Sequence, residues 1–473
     1  MNFEIGPVLL DFSDAVQALR EFVRIVQPVV DEQHRANLAA AAESINERAA
    51  ALADTLQPGS PVITALLKRA RAGPDDAERL IAPLKQLNER LFTLKQNSDT
   101  RDRPSESISP AGASLISGIT YLLETGRRIS LTQGHKEHLF KSSLISLVST
   151  TEILASRLLH EYFKNFPGAV GDDKTFTLKE LQELGSVEEA IRRARDSKVS
   201  AVLQKALRDV FSYFRSEFKV ELRFLEPHEA ALVEIFQRRN LLVHAGGIVN
   251  ERYIASLKAA DPDVKEPKAG EKITLSADYL EKAFDLCELN FLLIAATIWK
   301  KLAPTDKNRR VVFLIGFEHL RHQRWQIARA LSFFSMQDTG LNEDDRTSAQ
   351  LNYWQSFKWA GDFDKVSEDV VRADYSAKEP RLRLARYALL DDDKSFFTLL
   401  PRVISSRDVS MTPENLLTWP IFQGIRRHER FASEFGKSLE AAGLPALPMP
   451  SDSKTVVECD EIEVITESPG DHT

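Results

Sequence analysis

The sequence predicts an all-α protein made of a helical N-terminal module, a central helical bundle and a C-terminal irregular α-solenoid. Apolar residues recur at helical spacing almost throughout, stretches rich in Ala, Glu and Arg favour helix, and Gly-Pro or Gly-Gly pairs separate the periodic segments. A chain of 473 residues is too long for one ordinary core, so two or three domains are expected. Its 43% hydrophobic and 28% charged residues match a soluble globular protein and exclude a fibrous or wholly disordered one.

Residues 1–97 read as the N-terminal module. Val16, Leu19, Val23, Val26 and Val30 line one stripe of Asp14–Val30, Ala36–Leu56 is rich in helix formers, and Asp75–Gln96 resumes the pattern after Gly73-Pro74. Residues 98–112, dominated by Ser, Pro, Asp and Arg, have the composition of a linker. The bundle, residues 113–303, opens on a long helix over Lys136–Phe166 with Leu144, Leu147, Thr151, Leu154 and Leu158 in one stripe, Glu152 at its edge, and Pro167-Gly168 as its stop. Helices follow over Lys198–Phe218, Glu229–His244, and Ser276–Leu302, where Ser276 is the N-cap candidate. In residues 304–447, Asn352–Arg372, with its Gly361-Asp362 turn, and Arg381–Arg402 resemble units of a tetratricopeptide-like array, a surface suited to binding a protein partner.

The two cysteines, Cys287 and Cys459, lie far apart, which argues against a disulfide framework and for a reducing, cytoplasmic compartment. No basic n-region precedes an apolar run at the start, and the longest apolar run, Leu289–Trp299, is too short for a bilayer, so no membrane partner is expected. Two His pairs, His135 with His138 and His319 with His322, have near-metal spacing but no third ligand, so no metal or other cofactor is expected.

Chemistry concentrates in Gln237-Arg238-Arg239-Asn240-Leu241-Leu242-Val243-His244-Ala245-Gly246-Gly247-Ile248-Val249-Asn250. At 100° per residue, Leu232, Ile235, Phe236, Leu242 and Val243 form an apolar stripe with Arg239 at its centre, a costly place for a cation unless a carboxylate, a phosphate or a second chain satisfies it. Asn240 and His244 are four residues apart and share a face. His244 also lies in the last helical turn, where the helix dipole favours imidazolium. Arg223 and His228 repeat the spacing, but Pro227 lies between them and no helix fixes their geometry. An arginine that clamps a phosphate beside a histidine that moves a proton suits RNA cleavage, because RNA carries its own 2′-hydroxyl nucleophile.

The string Arg239-Asn240-Leu-Leu-Val-His244 at a helix end, after a long helix with an embedded Glu and before one more helix, resembles the HEPN superfamily across residues 135–302. That resemblance implies a HEPN-like bundle over 113–303 acting as a metal-independent endoribonuclease on RNA, with Arg239 and His244 as the catalytic pair and Asn240 as the polar neighbour. It also implies a homodimer in which two motif helices face each other, and a role in a toxin–antitoxin or phage-defence setting. Glu152 is the candidate to orient Arg239. Some members carry Tyr two residues after the His; here that position is Gly246, and the nearest Tyr is Tyr253. The alternative is an inactive HEPN and α-solenoid scaffold, with Arg239 paired structurally and His244 a helix-end residue.

A basic strip over Lys307, Arg309, Arg310, Arg321, Arg324 and Arg329 reads as an exposed helix surface in preference to an RNA-facing one. The cluster of Tyr353, Trp354, Phe357 and Trp359 reads as core. The net charge of −7 argues against bulk-charge binding of nucleic acid, but residues 451–473 hold seven acidic residues against the single Lys454. This acidic, disordered-type tail therefore accounts for −6 of the total and leaves the body nearly neutral.

Overall fold

A computed structural model describes residues 3–55, 110–171, 175–264, 267–305, 307–406 and 411–449. Among them the chain forms 17 α-helices and no strand. The helix expected over Asp75–Gln96, most of the linker and the acidic tail lie outside the described residues. No helix among the described residues is long and apolar enough to cross a membrane. The residues group into two compact units, one of Asp14–Ile153 and Phe224–Cys287, the other of Met1–Ser13, Leu154–Arg223 and Glu288–Thr473.

In the first unit, the two N-terminal helices expected before residue 56 are one, Ile5–Thr55, which continues through Pro28. Arg20, almost wholly buried, anchors it: Nη1 and Nη2 donate to Glu281 and Asp285, each at 2.8 Å, and the guanidinium lies 5.0 Å from the Phe284 ring centroid. The long central helix spans Pro110–Asn165, so the last three residues assigned to the linker are its first turn, where Pro110 needs no N–H partner. Gly112 and Ser114 hide that turn in the sequence. The stripe Leu144, Leu147, Thr151, Leu154 and Leu158 is buried as its spacing predicts.

The motif helix is Glu229–His244, as its pattern indicates. Its buried side chains are Leu232, Val233, Ile235, Leu241 and Leu242, whereas Val243, expected in the apolar stripe, is 46% exposed, on the helix side it shares with Arg239 four residues earlier. Gly246 and Gly247 take φ of 60° and 85°, and Gly247 N–H reaches back to the Leu241 carbonyl at 3.1 Å, closing the helix end. The chain then pairs antiparallel with the segment around residue 272: Val249 N–H donates to Glu271 O at 2.9 Å and Ile273 N–H to Gly247 O at 2.9 Å. Asn250 caps the next helix, Glu251–Ala260, by accepting from Tyr253 N–H at 2.9 Å. Ser276 caps Ala277–Leu302 in the same way, accepting from Tyr279 N–H at 3.1 Å. Gly247→Ala should cost about 1–2 kcal/mol, because an L side chain there enters the left-handed region with its Cβ 3.4 Å from Leu242 Cδ2. Urea unfolding measures it, and an unchanged midpoint contradicts this account of the helix end.

In the second unit, the single helix expected over Lys198–Phe218 is two, Val187–Leu203 and Leu207–Phe218. Ala206 is extended, and the turn re-aims the second helix so that Phe211 and Phe214 are fully buried, with Phe211 5.9 Å from Phe291. No Gly or Pro marks that break, and core packing sets it. Further on, Trp325–Met336 packs against both Arg310–Arg321 and Glu343–Trp359. The stretch read as Arg381–Arg402 is likewise two helices, Pro380–Leu389 and Asp393–Ser405, with Asp391 at φ 54° between them. Trp354, Phe357, Leu382, Phe396, Leu400, Phe422 and Phe431 join one core, so Trp354 and Phe357 are packing residues.

Four arginines of the basic strip have partners within the protein. Arg309, expected at the surface, is 1% exposed: it bonds Asp338 through Nε at 2.8 Å and Nη2 at 3.1 Å and donates to the carbonyls of Ala303 and Pro304. Arg310 pairs with Asp345 and Arg321 with Glu318, while Arg329 lies over the Phe357 ring. The Lys307 side chain lies outside the described residues.

Candidate functional site

The motif side chains meet in the first unit and divide into two groups. Arg239 turns into the protein: Nη2 pairs with Glu152 Oε1, and Nη1 donates to Asn240 Oδ1 at 2.9 Å. The Arg239 side chain is 17% exposed and that of Glu152 41%, so the pair is half-buried, and Arg239 Nε is buried with no hydrogen-bond partner. The carboxylate thus satisfies the cation that the apolar stripe made costly. Glu152 and Arg239 are joined across two helices, which stripe position alone had suggested.

Asn240 and His244 open on the other side, onto a cavity of about 250 Å³. It is lined by Gln237, Asn240, Leu241, His244, Ala245, Asn250, Arg252 and Tyr253. The turn through Gly246 and Gly247, with the antiparallel pairing that follows, folds the first turn of Glu251–Ala260 back against the end of the motif helix. Asn250, Arg252 and Tyr253 reach the cavity for that reason. Asn240 Oδ1 accepts from Arg239 and Asn250 Oδ1 from Tyr253 N–H, so each amide has its Nδ2 donor left for cavity contents. His244 is exposed.

A half-buried polar hub stiffens the wall. Glu234 Oε1 accepts from Arg238 Nε at 2.6 Å and Tyr253 OH at 2.7 Å, and Glu234 Oε2 accepts from Tyr279 OH at 2.6 Å. The Arg238 guanidinium stacks 4.1 Å from the Tyr279 ring centroid. Burial, and then the Glu234 carboxylate, push both tyrosine hydroxyls far above the ordinary phenol range, so they remain donors. Burial opposes the Arg238 charge, but Glu234, Tyr279 and Tyr253 together outweigh it and hold the guanidinium charged. Arg238 is therefore a structural neighbour of the motif.

Of the residues singled out by sequence, Arg239, Asn240 and Glu152 form one bonded group, and Asn240 and His244 share the cavity. Arg223 pairs with Glu221 at the surface, away from any helix pairing with His228. His319 is buried 3.2 Å from Glu288, and among the described residues no group of three or more metal-type side chains occurs. Sequence reasoning gave Asn250 and Tyr253 no site role and missed Arg252 altogether; the short connection after Gly246-Gly247 was the signal, since six residues between helices force their ends together. No protein-family model, curated protein or solved structure matches the chain.

Proposed function

We propose that this chain is a metal-independent endoribonuclease of the HEPN type. The observation that carries the reading is the exposed His244 on a donor-lined cavity, five residues along the helix from an arginine fixed by Glu152 and Asn240. In this reaction the RNA 2′-oxygen attacks the adjacent phosphorus while the His244 imidazole takes the hydroxyl proton. The P–O5′ bond breaks, and the departing 5′-oxygen takes a proton from an imidazolium, leaving a 2′,3′-cyclic phosphate and a 5′-hydroxyl. In a homodimer that acid is the partner subunit's His244, and Arg239, bonded to Asn240 Oδ1, holds the Asn240 amide in place beside the cavity.

Exposed apolar side chains flank the motif pair: Val243, and Ile153 at 58% exposure beside Glu152. They support a dimer that uses this face. In the proposed architecture a helical N-terminal module and a HEPN-like bundle are followed by a tetratricopeptide-like module over 304–447. That module takes a protein partner which restricts or delivers the activity, as in a cytoplasmic toxin or phage-defence effector.

The Arg239–Glu152 pair favours a second reading, an inactive HEPN and α-solenoid scaffold, because a carboxylate already occupies the guanidinium. Sequencing RNA ends from cells expressing wild type or His244→Ala separates the two. The ribonuclease reading expects new 5′-hydroxyl ends only with wild type. Identical ends in both, with Arg239→Ala lowering melting temperature or dimerisation, support the scaffold.

A further inference from the structure

We propose that Arg252 is the phosphate clamp of this site and that its substrate is unpaired RNA, an inference that rests on the ribonuclease reading. Arg239, which the motif suggests for that role, spends Nη1 on Asn240 and Nη2 on Glu152, and it does not line the cavity. Arg252 does line it, is exposed, and its guanidinium makes no hydrogen bond or ion pair among the described residues. A permanently charged, planar, unspent guanidinium lining the same small cavity as His244 suits a phosphate.

The rest of the lining agrees. Asn240 and Asn250 each keep an N–H₂ donor for the cavity, Gln237 brings a third amide, and the nearby carboxylate Glu234 is consumed by Arg238, Tyr253 and Tyr279. A cavity rich in donors and free of an unspent carboxylate favours an anion. Its volume, about 250 Å³, holds one backbone linkage with its flanking sugar and no duplex. Stacked A-form RNA also holds the 2′-oxygen out of line with the P–O5′ bond, so attack requires a strand free to swing its ribose.

The test measures binding of a 2′-O-methyl oligonucleotide, which cannot be cleaved, by fluorescence anisotropy at several salt concentrations. It uses full-length wild type, Arg252→Ala, Arg252→Lys and the surface control Arg193→Ala, each checked for helicity. Arg252→Ala should weaken single-strand binding about tenfold and reduce the salt slope by about 1. Arg252→Lys should restore the slope and part of the affinity, Arg193→Ala should match wild type, and the duplexed oligonucleotide should bind far more weakly. The clamp is overturned if Arg252→Ala equals Arg193→Ala, if wild type does not bind the single strand, or if duplex binds equally well. Arg252-dependent binding by a protein that cuts no RNA sinks the ribonuclease reading and keeps the clamp; cleavage indifferent to Arg252 does the reverse.

Discussion

His244→Ala should lower the single-turnover rate of RNA cleavage by about 10²–10⁴-fold, the usual contribution of a positioned general acid or base, and leave the fold unchanged. The second half follows from where His244 lies. It is the last residue of the motif helix, exposed, and it bonds no other described side chain, while the helix end is closed by backbone bonds from Ala245 and Gly247 to Leu241. Substitution at such a position shifts stability by less than about 0.5 kcal/mol. Arg239→Ala should behave differently, since it strands Glu152 and removes the partner of Asn240 Oδ1. A large kinetic loss with an unchanged melting curve at 244, beside a loss of both at 239, is the expected pattern. Equal cleavage by wild type and His244→Ala contradicts it.

The largest stability effect is expected at Asp338, in the other unit. Arg309 and Asp338 are each 1% exposed and doubly bonded, and Gly340 N–H donates to Asp338 Oδ1 at 3.0 Å. Asp338→Ala leaves a buried guanidinium without its counter-charge and should cost about 3–5 kcal/mol, a large share of the roughly 5–15 kcal/mol that holds a typical domain. Replacing both partners, with Arg309→Met and Asp338→Leu, should recover most of that loss, because neither charge then needs compensation. Burial alone would raise the Asp338 carboxyl, but the Arg309 hydrogen bond, the Gly340 N–H and the Arg309 charge outweigh it and hold it below the usual carboxylate range. A carboxylate depressed in the folded state contributes stability above its unfolded pKa of about 4 and loses it as pH falls through the lower folded value. Urea midpoints should therefore drop below about pH 4 in wild type and change less in Asp338→Asn. A midpoint that ignores pH there, or an Asp338→Ala variant as stable as wild type, removes the pair from its structural role.

How much of this was legible depended on whether the cause was local. The end of Glu229–His244 could be read to the residue because Gly246-Gly247 is a local stop signal, and Ser276 announced its helix as a local start signal, whereas the short helix Glu251–Ala260 went unread. The break at Gln204–Ala206 could not, since apolar spacing runs unbroken through it and only burial of Phe211 and Phe214 requires it. Within the site, Arg239 on an apolar stripe signalled a buried partner, and Glu152 on the preceding long helix supplies it. Arg309 gave no such signal: its partner lies 29 residues away, and a run of basic residues reads as solvated surface. The place of Arg252 follows from the backbone pairing of residues 247–249 with 270–273, a contact written in no single segment.

The central claim is that this chain cleaves RNA through the RNA's own 2′-hydroxyl with His244 as proton carrier. The most direct measurement incubates purified full-length protein in excess EDTA with one unpaired RNA and with the same RNA bearing a single 2′-deoxy residue at the mapped cut, and determines the product ends by mass spectrometry. The account predicts a 2′,3′-cyclic phosphate and a 5′-hydroxyl from the RNA and no cut at the 2′-deoxy position. A 5′-phosphate product, cleavage at the 2′-deoxy linkage, or no cleavage of any RNA by the wild-type protein would contradict it.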